Sequence, residues 1–424
     1  MIDEPPPRSV EEEYSAIEYG SQEEAPPPPP VFPRLQRSLD GLNPFFSESH
    51  LGIDFRNYYF RRRTVLDQES EAAAIGGLLR YESGWYAESL QIGAALYTSQ
   101  KLYGPRSRDG TGLLAPGQNG YTVLGEAFVR VAAYDQQLTA YRHKLALPYL
   151  NGNDSRMTPN TFEGFALAGG LGPVRYAAGH LFQIKPRNDE DFISFTEAAR
   201  AVGGGKRELS YAGFWLEPVE GLTVGAVDHF VPDTLNTAFV EADWKAAIDE
   251  DWGYRIGGQF THQSSVDSDR LAGRRFDTWL LSARIQAGFR DALLSFAFSV
   301  TDDDARIRNP WGSFPGPLGM MQRNFNDANE KAWGVGASWY LGLIGLPDLS
   351  MNLRYTEGYD RVNPASGNDR GDRREFNSTL DYRIGDGPLR GLWLRARFAW
   401  GREDDGRRDS LEGRVVLRWQ ANLL

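Results

Sequence analysis

The sequence predicts an all-β fold, a transmembrane antiparallel β-barrel, from three observations. Short stretches alternate between apolar and polar residues, aromatic residues sit at the ends of those stretches, and the strand pattern continues to the last residue. Composition agrees: 424 residues include 46 Gly, 23 Phe, 19 Tyr and 11 Trp against 5 Met and no Cys. Glycine and aromatics suit turns and strands better than helices. No run of about 18 apolar residues occurs, which excludes transmembrane helices. The missing cysteine removes disulfides, thiolate metal sites and thiol nucleophiles together. A net charge of -11 and a pI near 5.1 argue against a general nucleic-acid binder. The mean hydropathy of -0.48 is polar, as a barrel with a wet interior and long loops is.

Taken in order, residues 1–45 are a Pro- and Glu-rich tail without apolar periodicity, expected to be disordered or polyproline-like. They lack a cationic start followed by an apolar core and so do not read as a signal peptide. The simplest account is a mature chain whose leader was replaced by Met1. Residues 46–424 form the barrel domain. In "HLGIDFRNYYF", Leu51, Ile53 and Phe55 share one face, with Asp54 and Arg56 on the other. "WLLSARIQAGF" sets Trp279, Leu281, Ala283, Ile285 and Phe289 outward and Ser282, Arg284 and Gln286 inward. "AWGVGASWYLGL" opposes Trp333, Val335, Ala337, Trp339 and Leu341 to Gly334, Gly336, Ser338 and Tyr340. "LSMNLRYTEG" continues the dyad. "LWLRARFAWG" places Leu392, Leu394, Ala396, Phe398 and Trp400 opposite Trp393, Arg395, Arg397 and Ala399. In the closing "GRVVLRWQANLL", Val415, Leu417, Trp419, Ala421 and Leu423 oppose Arg414, Arg418, Gln420 and Asn422.

A soluble sandwich also alternates, but it hides the apolar face and leaves the charged face in bulk water. A membrane barrel turns the apolar face to lipid and the polar face to a lumen. The aromatic ends, a polar face of arginine and small residues, and a final strand that reaches the C-terminus all favour the barrel. At roughly 20 residues per strand with its connection, the chain allows about 16 to 20 strands, enough to enclose water. Transport becomes the leading expectation.

Several segments, in order, resemble the OprD family of Gram-negative outer-membrane porins, the substrate-specific carboxylate channels. They are "LGIDFRNYYF", "YESGW" (81–85), "GTG" (110–112), "LPYLNGNDSRMTPNTFEGFAL" (147–167), "NFNDANEKAWG", "GLPDLSMNLRYTEGYD", "REFNSTLDYRIGDGPLRGLWLRARFAWGR" and "EGRVVLRWQANLL". Each is weak alone; their order from Ser49 to Leu424 is specific. The resemblance implies about 18 strands, inward-folded constriction loops, a lumenal basic ladder, a bacterial outer-membrane location, and a monomer or loose trimer. The proline-rich tail departs from the family pattern.

Strand parity marks Arg56, Arg284, Arg354, Arg395, Arg397, Arg414 and Arg418 as pore-lining candidates. Of these, Arg56, Arg395, Arg397 and Arg414 also sit where the family ladder does. A guanidinium row replaces part of the water a carboxylate must shed, and successive weak sites permit passage. The planar fork holds a carboxylate through two hydrogen bonds and stays charged. The competing reading is that lumenal arginines pair with acids and only hold the wall in shape. Arg255 and Arg175 share the parity but lie near expected turns. The resemblance places 147–167 at the narrowest point, with Arg156 facing the eyelet and Asp154 and Ser155 bracing it. An ordinary outer loop is the bland alternative. A second long loop, 309–325, offers Trp311, Phe314 and Met320 as an apolar lip or as outer anchors.

The expected function is passive, selective uptake of small anionic nutrients, carboxylates and among them aromatic ones, with no cofactor, metal or enzymatic activity. The partners are small anions, outer-membrane lipid and lipopolysaccharide, with no nucleic acid. Alternatives are a channel for basic amino acids or sugars, a structural or secretion barrel gated by the tail, and a barrel enzyme, for which no nucleophile motif stands out. The histidines at 143, 180, 229 and 262 lack metal spacing. The acidic stretches 301–306 and 402–409 read as calcium sites or as loop charge near lipopolysaccharide, and the 203–205 glycines lack a phosphate-loop context.

Overall fold

Side-chain alternation, rather than helix propensity, shapes this chain. The computed structural model describes residues 31–202, 205–249, 251–267, 271, 273–346, 348–385, 387, 389–404 and 409–424. Residues 1–30 of the expected tail, two of the 203–205 glycines and residues 405–408 of the acidic stretch lie outside the described residues.

The strands are β1 (His50–Arg63), β2 (Glu69–Glu82), β3 (Leu90–Tyr103), β4 (Tyr121–Ala133) and β5 (Gln136–His143). A two-strand hairpin, β6 (Ala146–Leu147) and β7 (Leu150–Asn151), follows inside a loop. Then come β8 (Thr161–Leu171), β9 (Val174–Lys185), β10 (Leu209–Val219), β11 (Leu222–Val231), β12 (Leu235–Ala247) and β13 (Trp252–Ser264). β14 (Asp277–Phe289), β15 (Ala292–Thr301), β16 (Lys331–Tyr340), β17 (Leu349–Tyr359), β18 (Arg373–Arg383), β19 (Leu392–Glu403) and β20 (Ser410–Asn422) complete the set. Apart from the hairpin they form one 18-stranded antiparallel sheet. β1 pairs with both β2 and β20, so the sheet closes and leaves no edge.

The connections alternate between a turn end and a loop end. At the turn end β10 meets β11 through Gly221 (φ 77°), where a Cβ would run into the Lys245 carbonyl. At the loop end, long segments cover 104–120, 144–160, 186–208 and 302–330. Residues Pro33–Leu39 and Pro44–Ser47 form two short helices, each opened by a proline. The expected structureless tail therefore does not extend to residue 45. Val31 donates to the Asn422 carbonyl at 2.9 Å and Gly84 to the Phe45 carbonyl at 3.0 Å, which holds this segment against the turn end.

Exposure decides between sandwich and barrel. Leu281, Ile285, Leu394, Phe398 and Val415, all on the apolar parity, are 51, 55, 44, 44 and 47 % exposed. A sandwich would have buried that face. Outward aromatics form two girdles. One lies near the turns, with Trp244 against Tyr254 at 5.7 Å and Trp252 against Phe289 at 4.5 Å. The other lies near the loops, with Phe260 against Trp279 at 6.4 Å and Trp333 against Tyr355 at 5.8 Å.

The packed apolar core is inside, where loops meet wall. Tyr149, Leu150, Phe195 and Trp311 from three loops pack on Phe162, Phe239 and Leu280 of the wall. Trp311 is buried and its Nε1 donates to the Phe195 carbonyl at 3.0 Å, so it belongs to the interior lip rather than to an outer anchor. A second cluster joins Tyr58, Phe60, Ala72 and Ala74 to Leu113, Leu114 and Met157. A third seats Leu318 and Phe325 against Ala297 and Ala332. None of these clusters draws on β17, β18 or β19, and that wall faces the lumen with its polar side chains.

Candidate functional site

Register places the arginines of β19, β20 and β1 on one interior wall. Cα partners in a sheet share a face, and two residues along a strand rise about 6.6 Å. Arg418 is opposite Trp393 on one side and Arg56 on the other. One step toward the loops, Val416 lies between Arg395 and Tyr58, and one step further Arg414 lies between Arg397 and Phe60. The three successive levels therefore carry Arg418 and Arg56, then Arg395, then Arg397 and Arg414.

Most of these guanidinium groups are held by a partner. Arg395 makes a forked pair with Asp381, Nε to Oδ1 at 2.6 Å and NH2 to Oδ2 at 3.0 Å. It also stacks 4.2 Å from the Trp393 ring centroid. Arg418 makes a forked pair with Asp54, at 2.8 and 2.5 Å. Arg414 donates to Glu412 at 2.5 Å and to the Met321 carbonyl at 3.3 Å. Arg397 donates to Thr379 Oγ1 at 3.3 Å. The pairing fixes Arg395 and Arg418 in a rotamer while leaving part of each wet, their side chains being 15 and 23 % exposed, whereas the Arg414 and Arg56 side chains are buried.

Arg284 and Arg354 also face inward, on a different part of the wall. Arg284 shares Asp243 with Arg255, at 2.7 and 2.6 Å. Arg354 donates to the Gly319 carbonyl at 3.0 Å and the Pro317 carbonyl at 2.5 Å, latching the 302–330 loop to β17. Both Arg255 and Arg175, set aside for their nearness to turns, lie within strands on the lumenal parity.

The 144–160 loop folds into the lumen against this wall. Arg56 grips Asp154 with NH1 to Oδ1 at 2.6 Å and NH2 to Oδ2 at 2.8 Å, and donates to the Arg156 carbonyl at 2.9 Å. Asp154 is 40 % exposed although it lies deep in the protein volume, because the water it touches is lumenal. Burial raises its carboxyl pKa, but Arg56 dominates and holds it well below the usual carboxylate range. Arg156 is the more buried of the two. Its Nε donates to the Thr111 carbonyl at 2.8 Å and its guanidinium lies 4.9 Å from the Phe60 ring. Thr111 belongs to the "GTG" motif, and Gly112 there has φ 70°, the left-handed region that favours glycine. Arg156 is therefore buried against the 110–112 segment rather than turned to the eyelet, while Asp154 braces the loop through Arg56, as expected, and also meets the lumen. Ser155 accepts from Arg187 at 2.6 Å through its Oγ.

Arg187 was not expected. Burial, and then the nearby Arg414, bring its pKa down to about 10, and burial with Arg414 and Arg187 pushes Arg156 well below the usual arginine value. The constriction thus gathers guanidinium groups close enough to repel one another. The two inward loops interlock there: Ser313 N and Oγ reach Asn151 Oδ1 at 2.8 and 3.2 Å. A Cβ on Gly312 would sit 2.7 Å from the Tyr149 carbonyl oxygen.

A closed barrel with an apolar belt, two aromatic girdles and an inward constriction is the architecture of an outer-membrane channel. The model of the outer membrane porin, OprD family, matches residues 43–423. The chain belongs to the OprD family of porins. It is 25 % identical over 413 residues to the porin-like protein GalP of Pseudomonas putida, covering 90 % of this chain and 93 % of GalP. It is 24 % identical over 421 residues to Porin D of Pseudomonas aeruginosa, covering 90 and 92 %. In fold, this OprD-family porin is similar to OccK9 (OpdG) of Pseudomonas aeruginosa, with a TM-score of 0.80 at 24 % identity over 89 % of this chain and 100 % of OccK9. It is similar to OpdK of the same organism, solved with vanillate, with a TM-score of 0.79 at 21 % identity over 89 and 100 %. The porin resides in the bacterial outer membrane, with lipid around its belt and a path for solutes through its lumen. Its relatives are channels rather than enzymes. The short turns then face the periplasm and the long loops the exterior.

Proposed function

We propose that this porin admits small anionic solutes, carboxylates above all, by passive diffusion along Arg397 and Arg414, Arg395, and Arg418 with Arg56, and that it acts without catalysis. Three successive arginine levels on one lumenal wall, each with a partly exposed arginine (Arg397, Arg395 and Arg418) and two of them backed by a buried one (Arg414, Arg56), carry the reading. A carboxylate released at one level finds the next guanidinium about 6.6 Å on, and no level is deep enough to trap it. Asp381, Asp54 and Glu412 reduce the depth of the wells at Arg395, Arg418 and Arg414 by holding part of each of those forks, which favours exchange over tight binding. Arg284 and Arg354 line the lumen as supports of the β14–β17 side of the wall and of the 302–330 loop. Asp154, Ser155 and Arg156 set the gap through which the solute enters.

The aromatic surfaces interleaved with these cations favour aromatic carboxylates. Trp393 lies beside Arg395 and Arg383, 4.2 and 4.4 Å from its ring centroid, and Phe60 lies 5.1 Å from Arg414. OpdK has been solved with vanillate, an acid of this class. Uptake into proteoliposomes of benzoate, of a neutral sugar and of lysine, each at equal concentration, tests the proposal. Benzoate is expected to enter fastest and to slow when Arg395 and Arg397 become Ala. Faster entry of lysine, unaffected by those changes, would overturn it.

A further inference from the structure

At the loop end a second set of cations surrounds a cavity of about 310 Å³, lined by Arg274, Arg306, Arg308, Asp327 and Arg370. That volume is at the small end of ligand sites, and no arginine of the three lumenal levels lines it. Its lining comes from three loops: Arg274 ahead of β14, residues 305–308 with 327 and 328 from the long loop before β16, and residues 362–370 between β17 and β18.

The acids within reach are already engaged. Asp327 receives Arg361, Arg370 and Arg373, each at 3.3 Å. Asp304 holds Arg274 at 2.8 Å and caps Asp277 N at 2.8 Å. Arg306 and Arg308 have no ion pair among the described residues. Arg308 is fixed through its backbone, whose N–H donates to Gln263 Oε1 at 2.8 Å and whose carbonyl accepts from Gln263 Nε2 at 2.7 Å. Its Nε is buried without a hydrogen-bond partner among the described residues. Burial first, then the neighbouring Arg306 and Arg274, lower the pKa of Arg308. Like charges gathered around a void, with a donor left unsatisfied, are stabilised when an anion enters.

We propose that this cavity is an oxyanion site at the outer mouth, in which Arg306 and Arg308 take a phosphate-type dianion, either free in the medium or carried by lipopolysaccharide. Two adjacent guanidinium forks match phosphate geometry better than that of a single-charge carboxylate. The inference goes beyond carboxylate passage and holds whether or not the lumenal wall selects anions. The cavity is also tied to the constriction. Arg308 precedes Ser313, the residue that bonds Asn151, by five positions, which is at most about 18 Å of chain.

Inorganic phosphate added to the loop side of single channels in lipopolysaccharide-free phosphatidylcholine bilayers tests it. Wild-type current is expected to change saturably, with a half-saturating concentration that rises by about tenfold or more in R306Q/R308Q. Turn-side addition is expected to need higher concentrations. Arg306 is exposed, so R306Q alone serves if the double variant does not reach the heat-modifiable form of a folded barrel. With lipopolysaccharide in the loop-side leaflet, a loss of the wild-type response identifies the lipid phosphate as occupant, and an unchanged response identifies the free anion. No saturable response in the lipopolysaccharide-free bilayer, or the same response in R306Q/R308Q, would overturn the proposal. A shift seen in R395A/R397A but absent from R306Q/R308Q would move the effect to the lumen and overturn it as well.

Discussion

Arg56→Met should release the constriction loop. The change keeps the aliphatic stem but removes the guanidinium that holds Asp154 at 2.6 and 2.8 Å and the Arg156 carbonyl at 2.9 Å. Asp54 keeps its forked pair with Arg418, so the loss falls on Asp154. Removing one partner of a fully buried pair costs about 3–5 kcal/mol. Asp154 is 40 % exposed to lumenal water, which reduces the cost to about 2 kcal/mol. At 1.4 kcal/mol per tenfold, the ratio of undocked to docked loop rises about 30-fold. Single-channel recording should show a high-conductance substate occupied about 30 times more often, in ratio to the main state. Asp154→Asn should do much the same, and the double variant should be little worse than either, because the two changes remove one shared interaction. Additive effects, or an unchanged substate ratio in Arg56→Met, would refute the tether.

Gly312→Ala should wedge the two inward loops apart, since its Cβ would meet Tyr149 O at 2.7 Å and Asn151 N at 2.8 Å; a wider cut-off in polymer-exclusion measurements is expected, and an unchanged cut-off would contradict the interlock. Asp154 has an ordinary pKa of 3.8 that is depressed in the folded protein, so its tether is fully present above about pH 4 and is lost as pH falls through the lower folded value. The substate ratio should be flat from neutral pH down to about pH 4 and rise only below it, and a transition near pH 6 would assign the response to another group. Trp393→Ala should lower the permeability of benzoate relative to acetate by removing the stacked indole, about 1 kcal/mol or roughly fivefold; equal losses for both anions would show that the ring only positions Arg395.

The fold was legible because a barrel writes its inside and outside into alternate residues. β14, β16, β19 and β20 follow the faces expected from parity, as does Arg56 on β1, except that Leu341 and Leu423 lie beyond the ends of β16 and β20, Leu341 opening a 3-10 turn. Parity fails where strands bulge. The ladder shifts between Ala95 and Leu96 and between Glu163 and Gly164, so a face counted from one end is lost at the other. Arg255 and Arg175 were set aside because strand ends are the least legible part of an alternating pattern. The partners of the site were harder to read. Asp54 shares the parity of Arg56 two residues away and was visible; Asp381 and Asp243 reach their arginines across strands, which needs the register. Arg187 lies in a loop without periodicity, and only its approach to Asn153 and Ser155 reveals it. The turn-end helices at 33–47 were hidden by the surrounding prolines, which read as tail but open each helix.

The central claim is that guanidinium groups at successive lumenal levels select anions. It is tested most directly by the reversal potential of single channels under a tenfold sodium benzoate gradient, in wild type and in R395A/R397A. The account predicts a wild-type potential of the sign given by preferential benzoate movement, collapsing toward zero in the variant. A wild-type potential of the opposite sign, or one that the double substitution leaves in place, would contradict it.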